Sequence, residues 1–548
     1  MTDLTQFLPD IAWSSVAPEI AMTVAVVVLL LMTVAGRRRM WVATPMGLAI
    51  AGVGVALLVV ESTSPADPSL PGLLAIVAGV ALVALTFGLA GVPRALHAWI
   101  AGLGAGAALV LTAWQIFDVA WTGSLFAAST TMEGSVAMDG LAIFTRITVY
   151  LSTLLVLPIG FAYVRDRNIH RPEFEPLLLL SAVGMALLGA ANDVITLFIA
   201  LEVLSIALYV LTGSARRDRR SQEAAVKYFV LGAVASAILL YGFALSYIAT
   251  GSLELPGIAL GMADPGSPLR LLAVSMVLVL VGVGFKVALV PFQLWVPDVY
   301  EGAPTNVTAF MGAATKAAGF AAMLRLFVVA WAPLADLWVP IVAVLAGLSM
   351  AYGAWAALVQ DDVKRLLAYS AVAHAGYATI GIVSLSDAGL SATMWYLFTY
   401  AITSITALGG IIAIERRNHR AVSISDLNGL GRTSPALAAV MSLALLSLAG
   451  IPPTLGFEGK LGVFTAGMLS GLTWLVVLGV VTSVVSAFYY LRLMGAMFLT
   501  DPAPDAPVPA YSHGWNAGVT VAAGLIVYLG LQPSILLDLA ERAAVLAR

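Results

Sequence analysis

The chain has 548 residues, 61% hydrophobic and 10% charged, with a net charge of −3 and no cysteine. A soluble protein carries about 25% charged residues, so the composition excludes a soluble domain and points to a polytopic membrane protein. It also excludes thiolate-held clusters, disulfides and cysteine catalysis in this chain; the net charge argues neither for nor against nucleic acid, and no such partner is expected.

A span needs about 20 apolar residues. The first ten residues lack a basic run, and the apolar stretch from Pro18 to Ala35 ends in Arg37, Arg38 and Arg39. It therefore reads as a retained helix rather than a cleaved leader. In chain order the sequence predicts sixteen spans: 17–35, 41–60, 72–91, 97–117, 139–163, 176–191, 194–213, 222–249, 270–298, 307–331, 336–358, 366–386, 390–414, 435–468, 472–498 and 515–540. The runs are apolar all round, which suits lipid-spanning helices and not the alternating strands of a barrel. The fold class expected is an all-α polytopic membrane protein.

Most of the 27 Lys and Arg fall after an odd-numbered span, among them Arg37 to Arg39, Arg165, Arg167, Arg216, Arg217, Arg219, Arg220, Lys364, Arg365, Arg416 and Arg417. This asymmetry places the odd connections in the cytoplasm and both termini outside. A miscount by one helix in mid-chain would scramble the pattern.

The loops use arginine almost exclusively. Of the five lysines, Lys227, Lys286, Lys316 and Lys460 lie within predicted spans, and only Lys364 lies in a loop. Arginine stays protonated in proteins, whereas a buried lysine can release its proton. A charge at mid-bilayer costs about 2.5–3.5 kcal/mol on insertion scales, so four such sites need a reason. Glu202 is the one carboxylate well inside a span, and His374 sits in the twelfth span. Plainer readings exist: Lys227, Arg325 and Arg492 as snorkelling groups near helix ends, Glu202 as half of a structural ion pair, His374 as a packing histidine. Asp139, Arg146 and Asp193 lie near helix ends and carry little weight. Together, Glu202, Lys227, Lys286, Lys316, His374 and Lys460 read as an ion or proton pathway, entered near Lys227 and left near Lys460.

Two spans carry prolines near a lysine. The ninth has Lys286 and then Pro291, and the fourteenth has Pro452 and Pro453 ahead of Lys460. Proline removes a backbone donor, and the freed carbonyls are tolerated in a membrane only beside protein, water or an ion. The two broken helices are five spans apart and so run oppositely, as inverted five-helix repeats require.

These motifs resemble a known family. Glu202 in LFIALEVLSIALYVL, Lys227 in SQEAAVKYFVLGA, and the stretches GFKVALVPFQLWVPDVYEGAPT, ATKAAGFAAMLRLF, DDVKRLLAYSAVAHAGY and GIPPTLGFEGK are similar to subunit N of proton-pumping NADH:quinone oxidoreductase, respiratory complex I. PDVYEGAP is characteristic of the N type rather than the paralogous L and M types. The resemblance covers roughly residues 139–498. It implies flanking helices over 1–138 (72–117 a candidate extra pair), a flanking helix and loop over 139–175, antiporter-like repeats over 176–331 and 336–498, and a last loop and helix over 499–548. It further implies proton translocation driven by quinone reduction elsewhere, with an acid–lysine pair at Glu202 and Lys286 and a polar axis through Lys227, Lys316, His374 and Lys460. NADH, FMN, iron–sulfur clusters and quinone would sit on other subunits. Subunits M, K and J would be neighbours in a bacterial plasma membrane.

The sequence departs from the pattern twice. Sixteen spans stand where fourteen are usual, and Glu458 stands two residues before Lys460. Glu458 either faces a neighbouring subunit or pairs with Lys460, and is a further candidate site residue. Two other readings compete: an Mrp-type cation/proton antiporter subunit, against which the PDVYEGAP form argues, and a structural scaffold, which leaves the confinement of lysine to spans unexplained.

Overall fold

The computed structural model describes residues 13–35, 94–121, 129–264, 266–418, 421–502 and 506–544. Fourteen of the sixteen expected spans fall on described residues, and each holds a helix; 41–60 and 72–91 lie outside them. The helices used below are α1 (Trp13–Ala35), α2 (Arg94–Trp121), α3 (Gly140–Asp166), α4 (Phe174–Ala190), α5 (Val194–Thr212), α6 (Arg219–Thr250), α7 (Leu255–Ala263), α8 (Leu269–Val287), α9 (Trp295–Gly302), α10 (Thr305–Ala330), α11 (Ala335–Leu358), α12 (Val363–Val383), α13 (Asp387–Asn418), α14 (Pro435–Ala449), α15 (Leu455–Leu469), α16 (Thr473–Leu499), α17 (His513–Leu531) and α18 (Ser534–Arg542).

Three expected spans are not single helices. The ninth divides into α8 and α9 and the fourteenth into α14 and α15, both at prolines as expected. The last ends at Leu531, and α18 starts only after Pro533, where a proline cannot continue the backbone ladder. α10 is buried throughout and α13 along its membrane-spanning middle, and the core is built around them. Two stretches of α10, Met311–Thr315 and Arg325–Ala330, widen into π-helix.

The acids near helix ends do more than the sequence suggested. Asp139 caps α3 by accepting from the Ala142 N–H at 3.0 Å. Asp193 caps α5, accepting from the Ile195 and Thr196 N–H groups at 2.8 Å each. These caps satisfy donors that a helix start leaves unpaired.

Arg325, expected to snorkel, is instead fully buried. Its Nη1 and Nη2 reach Asp139 at 2.6 and 2.7 Å, and Nε and Nη2 reach the Gly189 carbonyl at 3.0 and 2.9 Å. A carboxylate brought in from α3 removes the need to reach water, and no local pattern marks it. Arg146, given little weight, is likewise buried, with its Nε 2.6 Å from Glu19 of α1 and its Nη1 3.3 Å from Gln115 of α2. Arg492 does reach outward, to Asp361 at 2.8 Å.

The connections sort by parity. Those after the fifth, seventh, ninth, eleventh and thirteenth spans contribute Arg167, Arg216, Ala303, Lys364 and Ala421 to one shared cavity. After the fourth span comes the hairpin Ser129–Thr131/Val136–Met138, which bridges from Val136 to Ala191, while Asp193 bridges to Glu254. The chain therefore alternates between an arginine-rich face and an opposite one.

Candidate functional site

The first break begins where α8 ends at Val287 and Ala288 turns left-handed, with φ of 66°; the Val290–Pro291 bond is cis. Its loosened backbone groups find partners. The Gly284 carbonyl accepts from the Leu289 N–H at 2.9 Å, the Phe285 carbonyl accepts from the Trp295 indole at 2.9 Å, and the Val290 N–H donates to Ser349 at 2.9 Å. Lys286 lies in the last turn of α8, buried, and donates to Ser205 Oγ of α5 at 2.8 Å. Its ammonium lies 5.8 Å from the centre of the Tyr228 ring.

Glu202 stands one turn before Ser205, half-buried, and accepts from Ser236 of α6. The expected acid–lysine pair thus meets at one stretch of α5, Lys286 reaching it from α8, but no ion pair within 4 Å joins it. A serine hydroxyl occupies the lysine instead.

The second break follows the same logic with different atoms. After Ala449, Gly450 turns left-handed with φ of 80°, and the Pro452–Pro453 bond is cis. The freed Ala449 carbonyl accepts from Lys460 Nζ of α15 at 2.9 Å, and Lys460 also donates to Ser483 Oγ at 2.7 Å. Only glycine fits at 450: a Cβ there would sit 2.7 Å from Lys460 Cδ, on a backbone that already disfavours side chains.

Between the breaks lies the centre of the site. Lys316 follows the π-helical stretch of α10, donates to the Ala371 carbonyl of α12, and lies 5.0 Å from the Tyr400 ring centre. The rings of His374 and Tyr400 are 4.9 Å apart, and those of His374 and Tyr377 are 5.6 Å apart. Lys460 lies 5.0 Å from the Tyr377 ring. His374 also hydrogen-bonds Tyr396 at 2.6 Å through Nδ1 and Tyr490 at 3.2 Å through Nε2. A small cavity flanks the histidine, between Tyr396, Tyr400, Thr403 and Ser447. The order across the core is Lys316, Tyr400, His374, Tyr377, Lys460. Lys286 adjoins it through Gly319 of α10, where a Cβ would stand 3.4 Å from Lys286 Cγ.

The partners of these lysines share a property. Among the described residues, Lys286, Lys316 and Lys460 meet hydroxyls, carbonyls and ring faces but no carboxylate within 4 Å. A buried carboxylate would hold an ammonium charged, whereas a hydroxyl both accepts and donates and so accommodates either protonation state. These partners therefore leave the lysines able to change protonation state.

Lys227 stands apart from this axis. Its side chain is 42% exposed and pairs with Glu223 at 2.6 Å and Asp298 at 2.7 Å. Asp298 also binds Arg365 at 2.8 Å, and Arg365 binds Glu301 at 2.9 Å, so the PDVYEGAP motif supplies two of the three acids, with Glu223, of a charged cluster on the arginine-rich face. Burial pushes the Asp298 carboxyl up, but the hydrogen bonds from Lys227 and Arg365 outweigh it and hold the group below the usual carboxylate range. A depressed native value means that this stabilisation is present above the unfolded aspartate range and is lost as pH falls through the native value. Asp298→Asn should therefore flatten the acid limb of thermal stability, by roughly 0.5–1 kcal/mol for so exposed a cluster. An acid limb identical to that of the unmodified protein would refute this.

Glu458 is half-buried and forms no hydrogen bond or ion pair with Lys460. Of its two expected roles, pairing with that lysine is not the one adopted.

Lys364, read as a loop charge, is buried. It donates to the Ala303 carbonyl at 3.0 Å and Thr305 Oγ1 at 3.2 Å, and stands 3.7 Å from Glu415. Glu415 was missed altogether. It ends the apolar run of α13 just before Arg416 and Arg417, so it reads as one more end charge. In the fold it is buried, accepts from Thr305 Oγ1 at 2.5 Å and Tyr163 Oη at 3.2 Å, and lines the floor of a cavity of about 1000 Å³.

Residues 191–486 match the family described as "NADH:quinone oxidoreductase/Mrp antiporter, TM". NADH-quinone oxidoreductase subunit N 1 of Herpetosiphon aurantiacus is 45% identical over 397 residues, covering 71% of this chain and 80% of the relative. Subunit N of Rhodococcus opacus is 46% identical over 378 residues, covering 69% and 70% respectively. A chain of respiratory complex I from Thermus thermophilus with bound aureothin superposes with a TM-score of 0.69 at 34% identity, covering 90% of this chain and 99% of that one. A chain of the Mrp complex from Dietzia sp. superposes with a TM-score of 0.74, over 97% of both chains, but at 20% identity it shares the fold alone.

Proposed function

Because this chain belongs to the NADH:quinone oxidoreductase/Mrp antiporter transmembrane family, we propose that it is the N-type membrane subunit of a proton-pumping NADH:quinone oxidoreductase and translocates protons through its buried lysines. The observation that carries this reading is the row Lys316, Tyr400, His374, Tyr377 and Lys460, whose lysines no carboxylate holds charged. Lys286, bonded to Ser205 one turn along α5 from Glu202, flanks this row at one end, and Lys460 closes it beside the freed Ala449 carbonyl. Moving one proton against 100 mV takes about 2.3 kcal/mol, within reach of charge changes at neighbouring buried sites.

In this reading the two broken helices belong to inverted repeats over 176–331 and 336–498. The arginine-rich face is cytoplasmic, both termini lie outside, and the membrane is the bacterial plasma membrane. NADH, FMN, iron–sulfur and quinone chemistry belongs to partner subunits, and M, K and J are the neighbours.

Lys286→Ala and Glu202→Ala test the reading in the assembled complex reconstituted in vesicles. Both should lower the number of protons moved per quinone reduced. Unchanged pumping in both variants would sink the proposal, and purification without redox partners together with Na⁺-dependent proton flux would favour an antiporter instead.

A further inference from the structure

We infer that Glu415, at the floor of the large cavity on the arginine-rich face, is the residue through which protons enter α10 toward Lys316, in place of Lys227. The inference rests on the proposed translocation and adds its intake site.

Four observations carry it. First, Glu415 meets the cavity together with Tyr163, Arg167, Ala303 and Lys364, so a buried carboxylate lies within reach of an open volume of about 1000 Å³. Second, its cations stand off: Lys364 Nζ is 3.7 Å away and an Arg167 Nη1 is 3.6 Å away, while the close contacts are the Thr305 and Tyr163 hydroxyls. The structural pair Arg325–Asp139, by contrast, is bidentate at 2.6 and 2.7 Å. Both cations lie in ion-pair range, but at 3.6 and 3.7 Å neither gives the carboxylate a direct hydrogen bond, so its hydroxyl-bonded oxygens can take up and release a proton without breaking one.

Third, the hydroxyl it touches opens the helix that carries Lys316. Thr305 is the first residue of α10 and Lys316 lies eleven residues on, about 16 Å along the axis. Next to Thr305, the side-chain oxygen of Asn306 is buried without a hydrogen-bond partner, a group that calls for a donor such as water. Fourth, the intervening turn is π-helical, and at Gly312 a Cβ would stand 3.2 Å from Tyr300 Oη and 3.3 Å from Ser404 Oγ. Glycine leaves that polar gap open. Lys227 has none of these features: two carboxylates clamp it on the surface.

The step is balanced. A hydronium ion in the cavity gives its proton to a Glu415 oxygen and leaves water. The proton then departs along α10 toward Lys316 and the carboxylate is regenerated. The charged and titratable groups facing Glu415 are Tyr163 of α3, Arg167 just past its end, and Lys364 of α12. Asp362 caps α12 nearby, and Glu301 of α9 lines the same cavity.

The test uses the assembled complex in vesicles with this face outward, comparing Glu415→Gln, Glu415→Asp and Lys316→Ala. Glu415→Gln should slow proton translocation on the order of 100-fold, the low end of the scale for a lost acid–base group. The rate should recover as the outer pH is lowered and on adding formate, a weak acid small enough for the cavity. Glu415→Asp should keep most of the rate. Full translocation by Glu415→Gln at every pH overturns the inference. So does a loss that neither acid, formate nor aspartate repairs, because that is the signature of a structural role. Full translocation by Lys316→Ala defeats the relay itself, separately from its intake.

Discussion

Lys460→Arg is expected to leave the complex assembled and to remove this subunit's share of the protons moved per quinone reduced. The ammonium of Lys460 donates to the Ala449 carbonyl and to Ser483 Oγ, with a ring face beneath it and no carboxylate in contact. A neutral amine can keep the same neighbours, donating to the carbonyl while accepting from the serine hydroxyl. A guanidinium cannot. Its pKa lies above 12, so releasing a proton at pH 7 costs about 7 kcal/mol, a factor of about 10⁵ in population. The Arg variant keeps the charge and the capping of the helix end but loses the cycle, and Lys460→Gln loses the charge as well. Both should fall to the same low stoichiometry, measured as proton uptake against quinone reduced in vesicles. If the Arg variant pumps at full stoichiometry, Lys460 serves as a fixed charge that caps a broken helix and is no part of a relay.

The fourteen described spans, the shared face of their odd-numbered connections and the two breaks were legible because each is a local property. Apolar length marks a span, loop arginines mark a side, and Pro291, Pro452 and Pro453 mark where a helix must stop. The buried lysines were legible for a related reason: an ammonium in an apolar run stands out against its neighbours, and the loops' preference for arginine sharpened the contrast.

What was not legible lies in contacts between distant segments. Arg325 and Asp139 are 186 positions apart, and Thr305 and Glu415 are 110 apart. Near a helix end, a snorkelling charge and one half of a buried pair look alike in sequence. Lys364 was hidden in the charge run DDVKR, and Glu415 beside two arginines. The tyrosines that separate Lys316, His374 and Lys460 read only as apolar members of their spans, because hydropathy records how deep a side chain lies and not which ring it meets. Lys227 shows the same ambiguity from the other side. Five residues into a predicted span it read either as a pathway residue or as a snorkelling one, and at the arginine-rich end of α6 Asp298 and Glu223 hold it.

Arg325→Met should be among the most damaging single changes to folding. Its guanidinium joins three helices: α10, which carries it, α3 through Asp139, and the end of α4 through the Gly189 carbonyl. Removing it leaves a fully buried carboxylate uncompensated, a loss of about 3–5 kcal/mol, which should appear as a lower thermal midpoint and poor recovery of assembled complex. The double variant Arg325→Met with Asp139→Leu should regain most of that loss, since an apolar pair of similar bulk removes the stranded charge. Recovery should stop short by about 1 kcal/mol, because Asp139 also caps α3 at the Ala142 N–H. Translocation should follow stability here, because Lys316 is nine residues before Arg325 on the same helix and the pair fixes which way that helix faces. A single variant as stable as the unmodified protein would mean that the buried pair is neutral to the fold and that packing alone orients Lys316 in the core.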